Sequence, residues 1–328
     1  MERKFFTEIA FNLHTKNTLL IHAKDIGHIE KQSQEILDIA NDCHIYLIVK
    51  RPRLSFVPDS LTWENGVTKG SLSCRVAGRD QPILFSMVGE PLYKISYAPY
   101  PHRTIDLIDE QGLRVLTLPA HFIPRVADWT DSPWIHECEV VYVGMAYGDG
   151  NRSAKDRLEG HSTLQQVLAD MNSDEPDSEA LIVMVQYQPP MAMIHFNGAD
   201  KSLDPDNDRD AMEDIRQIEE KISPKMEIAL AEAALIRYFQ PHYNEKYKNN
   251  FPDKKHVVTE SLYEIDLLGL SVEINTEDLR IRLFSKTRGA GAHHIASFDL
   301  HDPNLRLSFF SPYSTSLQTA EHFSGPVF

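Results

Sequence analysis

The sequence predicts an α+β protein: a small mixed sheet with flanking helices, set between two strand-rich regions. Three observations predict it. The chain has 328 residues, 42% hydrophobic and 25% charged, which is ordinary globular usage and enough chain for about two domains. Short runs rich in Ile, Val, Leu and Tyr, separated by Gly, Pro and Asp, recur toward both ends and read as strands. The middle instead alternates apolar runs with helical segments. The predicted organisation is a strand-rich N-terminal domain over 1–118 for recognition or partner binding, a catalytic domain over 119–252, and a strand-rich region over 253–328.

In the first segment the strand candidates are Thr18–His22, His44–Lys50, Ile83–Val88, Tyr93–Tyr97, Thr104–Ile108 and Leu113–Leu118, with one helix near Ile29–Asn41. In the middle, Glu139–Gly144 reads as a strand and Ser153–Gly160 and Ser162–Asp170 as helix. The unbroken apolar run Ala180–Tyr187 reads as a strand buried on both faces. Helices follow near Ala211–Ile222 and Pro224–Phe239. Ser223-Pro224 is a good N-cap and first-turn pair, and Pro241 stops the second helix. The last segment offers strands at His256–Glu260, Leu270–Ile274, Leu279–Phe284 and Ile295–Leu300, and a loose tail after Pro312.

Composition excludes disorder, a collagen-like fibre and a small disulfide scaffold. Three cysteines, Cys43, Cys74 and Cys138, form no C-x-x-C pair, which argues against a zinc ribbon and suits a reducing compartment. Charges at Glu2, Arg3, Lys4, Glu8 and Lys16 argue against a signal peptide, and no run of 18 apolar residues occurs. The expected location is the cytoplasm, with no membrane partner. The net charge is −15, of which −12 falls within 121–250. Such acidity argues against a protein that coats nucleic acid with its whole surface.

Four features of the middle segment carry chemistry. Tyr142-Val143-Gly144 ends a strand, with a hydroxyl at the sheet edge and a Gly that permits close approach. Arg157 and His161, four apart, stack on one helix face as a phosphate clamp beside a proton carrier. Glu232 sits in Met226–Phe239, apolar nearly all round, so its carboxylate must be paired, metal-bound or shifted in pKa. Asn244 follows Pro241 where the chain turns back. Each has an ordinary alternative: a structural tyrosine, a surface Arg/His pair, a buried ion pair and a turn-capping Asn.

Taken in order, these residues resemble the GIY-YIG nuclease superfamily, over about 119–250. Tyr142-Val143-Gly144 matches the YIG strand, Arg157 the helix Arg, His161 a His of restriction-type members, Glu232 the metal-binding Glu, and Asn244 the later Asn. The best match to the first motif is His121-Phe122-Ile123, with Phe in place of Tyr; His121 or Tyr147 would then supply the missing polar group. The resemblance implies a metal-dependent endonuclease acting on nucleic acid, DNA ahead of RNA, in restriction or antiphage defence. It implies Mg²⁺ (or Mn²⁺) on Glu232, Arg157 on the phosphate, Tyr142 and His161 on the attacking water, and Asn244 holding the site together. Lys155 and Gly144 would lie against the substrate. The acidity then implies a protein partner or a homo-oligomer that supplies basic surface. The rival reading is a non-catalytic binding subunit with the same fold. A metabolic α/β enzyme gains no support, since no Gly-rich phosphate loop, nucleophile elbow or H-E-x-x-H occurs.

Three further features have simpler readings. Asp204–Asp210 alternates acids as a Ca²⁺ loop does, but Arg209 stands where an EF-hand needs Gly and Ile215 where it needs Glu. His293-His294 reads as a surface pair. Lys50-Arg51-Pro52-Arg53 is the densest basic cluster and a candidate contact to a nucleic-acid backbone.

Overall fold

The computed structural model describes residues 6–310 apart from 77, 89–93, 148–153, 159, 161, 197–205, 207, 209, 211–212, 214, 217–221, 254, 265 and 302–307. Strands β1 (Thr7–Leu13) and β2 (Thr15–His22) lead through a 3-10 segment to helix α1 (Gln34–Asp42) and strand β3 (Ile45–Pro52). A run of strands follows: β4 (Leu54–Phe56), β5 (Thr62–Glu64), β6 (Val67–Val76), β7 (Arg79–Val88), β8 (Lys94–Tyr97), β9 (Thr104–Ile108) and β10 (Arg114–Pro119). The short helix α2 (Ile123–Val126) and strand β11 (Trp129–Thr130) close it. Then come β12 (Glu137–Met145), α3 (Ala154–Leu158), α4 (Ser162–Asp174), β13 (Ser178–Tyr187) and β14 (Met191–Phe196). The last elements are α5 (Pro224–Phe239), α6 (Val257–Glu264), β15 (Gly269–Asn275), β16 (Arg282–Phe284) and β17 (His293–Asp299). The architecture is mixed α+β, as the sequence predicts.

The central sheet has the order β16-β12-β3-β13-β2. Its period-two alternation sends apolar side chains to both faces. Leu181, Val183 and Val185 of β13 and Leu47 and Val49 of β3 face one core. Ala180, Ile182, Met184, Tyr46 and Ile48 face the other. Helices α1, α3 and α4 contribute Ala40, Leu158, Leu164 and Val167 to the second core. Helix α5 packs into the first, together with the sheet β14-β1-β15-β17. Each fully buried Leu, Ile or Val contributes about 1.5–3 kcal/mol relative to exposure, so this double burial anchors the sheet.

Helix α5 follows its sequence signals. The Ser223 hydroxyl accepts a bond from the Met226 amide at 3.4 Å, Pro224 opens the first turn, and Gln240 caps the end at φ 49°. Ten of its residues are buried, in agreement with its apolar circumference.

Other expectations change. The sheet draws β2 and β3 from 1–118, β12 and β13 from 119–252 and β16 from 253–328, so the boundaries at 118 and 252 do not separate it. Residues 53–136 instead form an insert between neighbouring strands β3 and β12, with its own core of Leu54, Phe56, Leu72, Ile83, Phe85, Ile105 and Ile123. Pairing acts across any sequence separation, and local pattern predicts a strand without its neighbour. His256–Glu260 is not a strand: Val257–Glu264 is helix, and tertiary packing that buries Leu262 overrides the β-branched run. Leu279–Phe284 shortens to β16, because Arg280 turns at φ 53°. Strands β1, β6 and β14 lie where the sequence pattern predicts none. His294 is not at the surface: it is 1% exposed and accepts or donates at Tyr238 Oη, 3.1 Å away. The Ala211–Ile222 helix and the tail after Pro312 fall largely or wholly outside the described residues. Among the described residues no helix is long and apolar enough to cross a membrane.

Candidate active site on the free edge of β12

Strand β16 pairs only with Glu137–Glu139, so the rest of β12 presents unpaired backbone groups on that side. A bare edge is a liability, and here one backbone amide and two side chains satisfy it. The Tyr243 amide donates to Val141 O at 3.0 Å. Asn244 acts as a surrogate strand: its Oδ1 accepts from Val143 N at 2.9 Å and its Nδ2 donates to Val143 O at 2.8 Å. One step on, Met145 N donates to Glu232 Oε1 at 3.0 Å. The alternating residues Val141, Val143 and Met145 thus lock Tyr243, Asn244 and Glu232 to one edge. Pro241 makes this possible by ending α5 and returning the chain to β12.

On the other side β12 pairs antiparallel with β3, and Gly144 sits opposite Tyr46. A Cβ on Gly144 would lie 2.6 Å from the Tyr46 ring and hydroxyl and 2.7 Å from the Tyr142 ring. Only glycine lets both rings cross the strand here. The ring centroids are 6.1 Å apart. Tyr46 interacts through its hydroxyl with Tyr142 and Arg157, and Thr163 also acts on the Tyr142 phenol. Tyr46 is wholly buried, and Tyr142 is half-buried. Burial raises both phenols above the ordinary tyrosine range; Tyr142 rises further beside Glu232, and Arg157 opposes both shifts.

The tyrosine that lies against Tyr142 and Gly144 is Tyr46, within His44-Ile45-Tyr46, and Phe122 is not beside them. Phe122 ends a 3-10 turn inside the insert core and pairs with no strand of the sheet. His121 lies in a cavity that the insert makes with the opposite end of the sheet. Tyr147 packs edge-on to His44, with centroids 5.1 Å apart. The signal was in the sequence, since His44-Ile45-Tyr46 opens an apolar run, but the insert separates it from Tyr142.

Glu232 projects from α5 toward the same cluster. Burial pushes its carboxyl up to about 7; the Met145 amide, Arg157 and Lys246 oppose that rise without cancelling it. Among the described residues it forms no ion pair, so the buried-salt-bridge alternative is not what is seen. Arg157 is half-buried and electrostatically coupled to Tyr46, Tyr142 and Glu232. Tyr247 lies near enough to Glu232 for its own phenol to be raised, first by burial and then by that carboxylate. Lys155 is engaged elsewhere, with its Nζ 2.7 Å from Glu30 Oε1 and its side chain nearly buried. It stands two residues from Arg157, about 200° around a helix, so the two leave in different directions. His161 lies outside the described residues.

The donor set at the edge is sparse. Among the described residues no group of three or more His, Cys, Asp or Glu side chains is arranged to hold a metal. One half-buried carboxylate without an ion pair among the described residues fits a hard divalent cation that keeps most of its waters and takes further oxygens from a phosphate, as Mg²⁺ does. The cluster can thus offer a carboxylate, a guanidinium and the Tyr142 hydroxyl, with the Tyr46 hydroxyl buried behind them. The expected backbone contact at Lys50–Arg53 is mostly consumed internally: Lys50 pairs with Glu139 and Glu175, and Arg51 with Glu179. Comparison with protein-family models, with curated proteins and with solved structures finds no match to this chain.

Proposed function

We propose that the chain is a metal-dependent endonuclease of GIY-YIG type, with Tyr142, Arg157 and Glu232 as catalytic residues and Tyr46 and Asn244 as positioning residues. One observation carries this reading. Ile45-Tyr46 lies antiparallel to Tyr142-Val143-Gly144, with Arg157 coupled to both phenols and Glu232 to Tyr142 and Arg157. This arrangement supports a resemblance to the ordered pattern of the superfamily, with β3 supplying the first tyrosine.

In this reading Arg157 holds the scissile phosphate and neutralises charge that grows in the transition state. Tyr142 orients the attacking water. Its proton is hard to remove while Glu232 is an uncompensated anion, so neutralising that carboxylate lowers the cost of Tyr142 acting as a base. Tyr46, buried and interacting with both, fixes their separation. A Mg²⁺ or Mn²⁺ ion held by Glu232 supplies Lewis-acid stabilisation of the phosphate and the leaving oxygen. DNA is the preferred substrate class over RNA, in a restriction or antiphage setting, with a protein partner or second copy supplying basic surface.

The test is incubation of the purified chain with Mg²⁺ or Mn²⁺ and supercoiled plasmid, linear duplex, single-stranded DNA or RNA. Cleavage that falls at least about 100-fold in Glu232→Gln and in Arg157→Ala is expected. Cleavage that persists in Glu232→Ala would sink the assignment. Binding without cleavage of any substrate would make the chain a binding subunit.

A further inference from the structure

Where β3 leaves the central sheet, a cavity of about 350 Å³ opens between the sheet and the insert. Its lining is strongly cationic for an acidic protein: Lys24, Arg53 and Arg103 surround it, and among the described residues Glu179 is its one acidic member. Glu179 is already spent. It is 3% exposed and held by Arg51 at 3.0 Å, with Arg103 at 3.5 Å and His22 at 3.8 Å. Burial alone would raise its carboxyl, but Arg51 first and then His22 outweigh that and hold it at about 2.

Arg103 shares Glu179 with Arg51, whereas Arg53 and Lys24 make no ion pair among the described residues. Arg53 donates through Nε to Ser178 O at 3.0 Å, and its terminal nitrogens reach no other described residue. The Arg103 guanidinium is pulled down first by burial and then by Arg53, the mark of two like charges side by side. Lys24 makes no ion pair with a described residue. Concentrated positive charge in a partly desolvated cavity is costly until an anion enters. The other walls are flat or apolar. The His22 and His121 rings lie 4.8 Å apart, and Leu168 and Met171 of α4 line the same space. Burial takes His121 down to about 3, so its ring is neutral.

We propose that this cavity binds a 5′-phosphorylated nucleotide, its phosphate against Arg53, Arg103 and Lys24 and its base against the imidazoles and the Leu168–Met171 wall. A volume of this size suits a single nucleotide and not a duplex. The same chemistry is offered by a free mononucleotide and by the 5′-phosphorylated end of a nucleic acid. The cavity is separate from the tyrosine cluster: Tyr46 and Pro52 stand at opposite ends of β3, about 20 Å apart at 3.3 Å per residue. The proposal therefore does not rest on the cleavage reading.

Calorimetric titration of the full chain tests it, with AMP, a short 5′-phosphorylated oligonucleotide, its 5′-hydroxyl counterpart and orthophosphate as probes. Saturable binding of AMP or of the 5′-phosphorylated oligonucleotide is expected, weakened about tenfold or more in Arg53→Gln and in Lys24→Gln. Glu232→Gln should bind as wild type does, which separates this site from the proposed nuclease centre. AMP binding marks a metabolite site, and binding of the oligonucleotide alone marks an end-recognition site. Absence of both overturns the proposal. So does affinity unchanged in both variants, or orthophosphate binding as tightly as AMP. Lys24 is exposed, so its variant keeps the test valid if Arg53→Gln unfolds.

Discussion

At Gly144 two tyrosine rings leave no room for a methyl group. Gly144→Ala must push Tyr46 or Tyr142 off its rotamer. Overpacking of this kind costs about 1–3 kcal/mol, read as a lower urea midpoint. Activity should fall more than stability does, because the displaced groups are the ones that touch Arg157. Glu232 gives a pH prediction of definite sign. Its folded-state carboxyl titrates at about 7 instead of the usual 4.5. The folded chain therefore keeps a proton that the unfolded chain has lost, and stability falls as pH rises from about 4.5 to about 7. The full span is worth on the order of 3 kcal/mol. Glu232→Gln should remove this slope and raise stability at pH 8. Mg²⁺ should raise the melting temperature of the wild type at that pH and leave the Gln variant unmoved. A wild-type melting temperature indifferent to Mg²⁺ and Mn²⁺ would argue against a metal on Glu232.

The elements that matter are the free edge of β12 and the helix that feeds it. Asn244 satisfies both backbone groups of Val143 in a buried setting. Asn244→Ala orphans a donor and an acceptor together, at a cost of about 2 kcal/mol or more by chemical denaturation. Ser223→Ala removes the cap of α5 and should cost about 1 kcal/mol. That variant should lose less activity than Asn244→Ala, since the middle of α5 stays clamped by packing on the sheet. Equal losses would mean that α5 as a whole, and not the Asn244 clamp, sets the geometry.

Across the whole molecule, β3 and β12 are neighbours whose connection is expanded into the insert of residues 53–136. Lys50 pairs with Glu139, so the strand ends lie within reach of a short turn. Replacing 53–136 by a tight hairpin loop should preserve cooperative unfolding and the Tyr46–Gly144 pairing while abolishing nucleotide binding, because Arg53, Arg103 and His121 leave with it. The net charge of −15 has a counterpart at this scale: intrinsic duplex affinity should be weak and should fall only shallowly with salt, as binding at a few phosphates does. Local pattern sufficed for elements that carry their own signals. Helix α5 was legible from its Ser-Pro start, apolar circumference and Pro241 stop, and β13 from an unbroken apolar run. Of the site, Tyr142, Gly144, Arg157, Glu232 and Asn244 were legible because they fall in order within one stretch. Tyr46 was not, since its partner strand lies beyond the insert and the backbone bonds that join β3 to β12 leave no trace in residue spacing. The domain limits failed for the same reason. What the sequence determined by itself was which segments are helix or strand and which side chains could do chemistry. Tertiary pairing alone decided that β3 lies against β12, that Glu232 is half-buried without an ion pair among the described residues, and that the insert's arginines meet over the far end of the sheet. Burial and long-range hydrogen bonding, not local propensity, set those three outcomes.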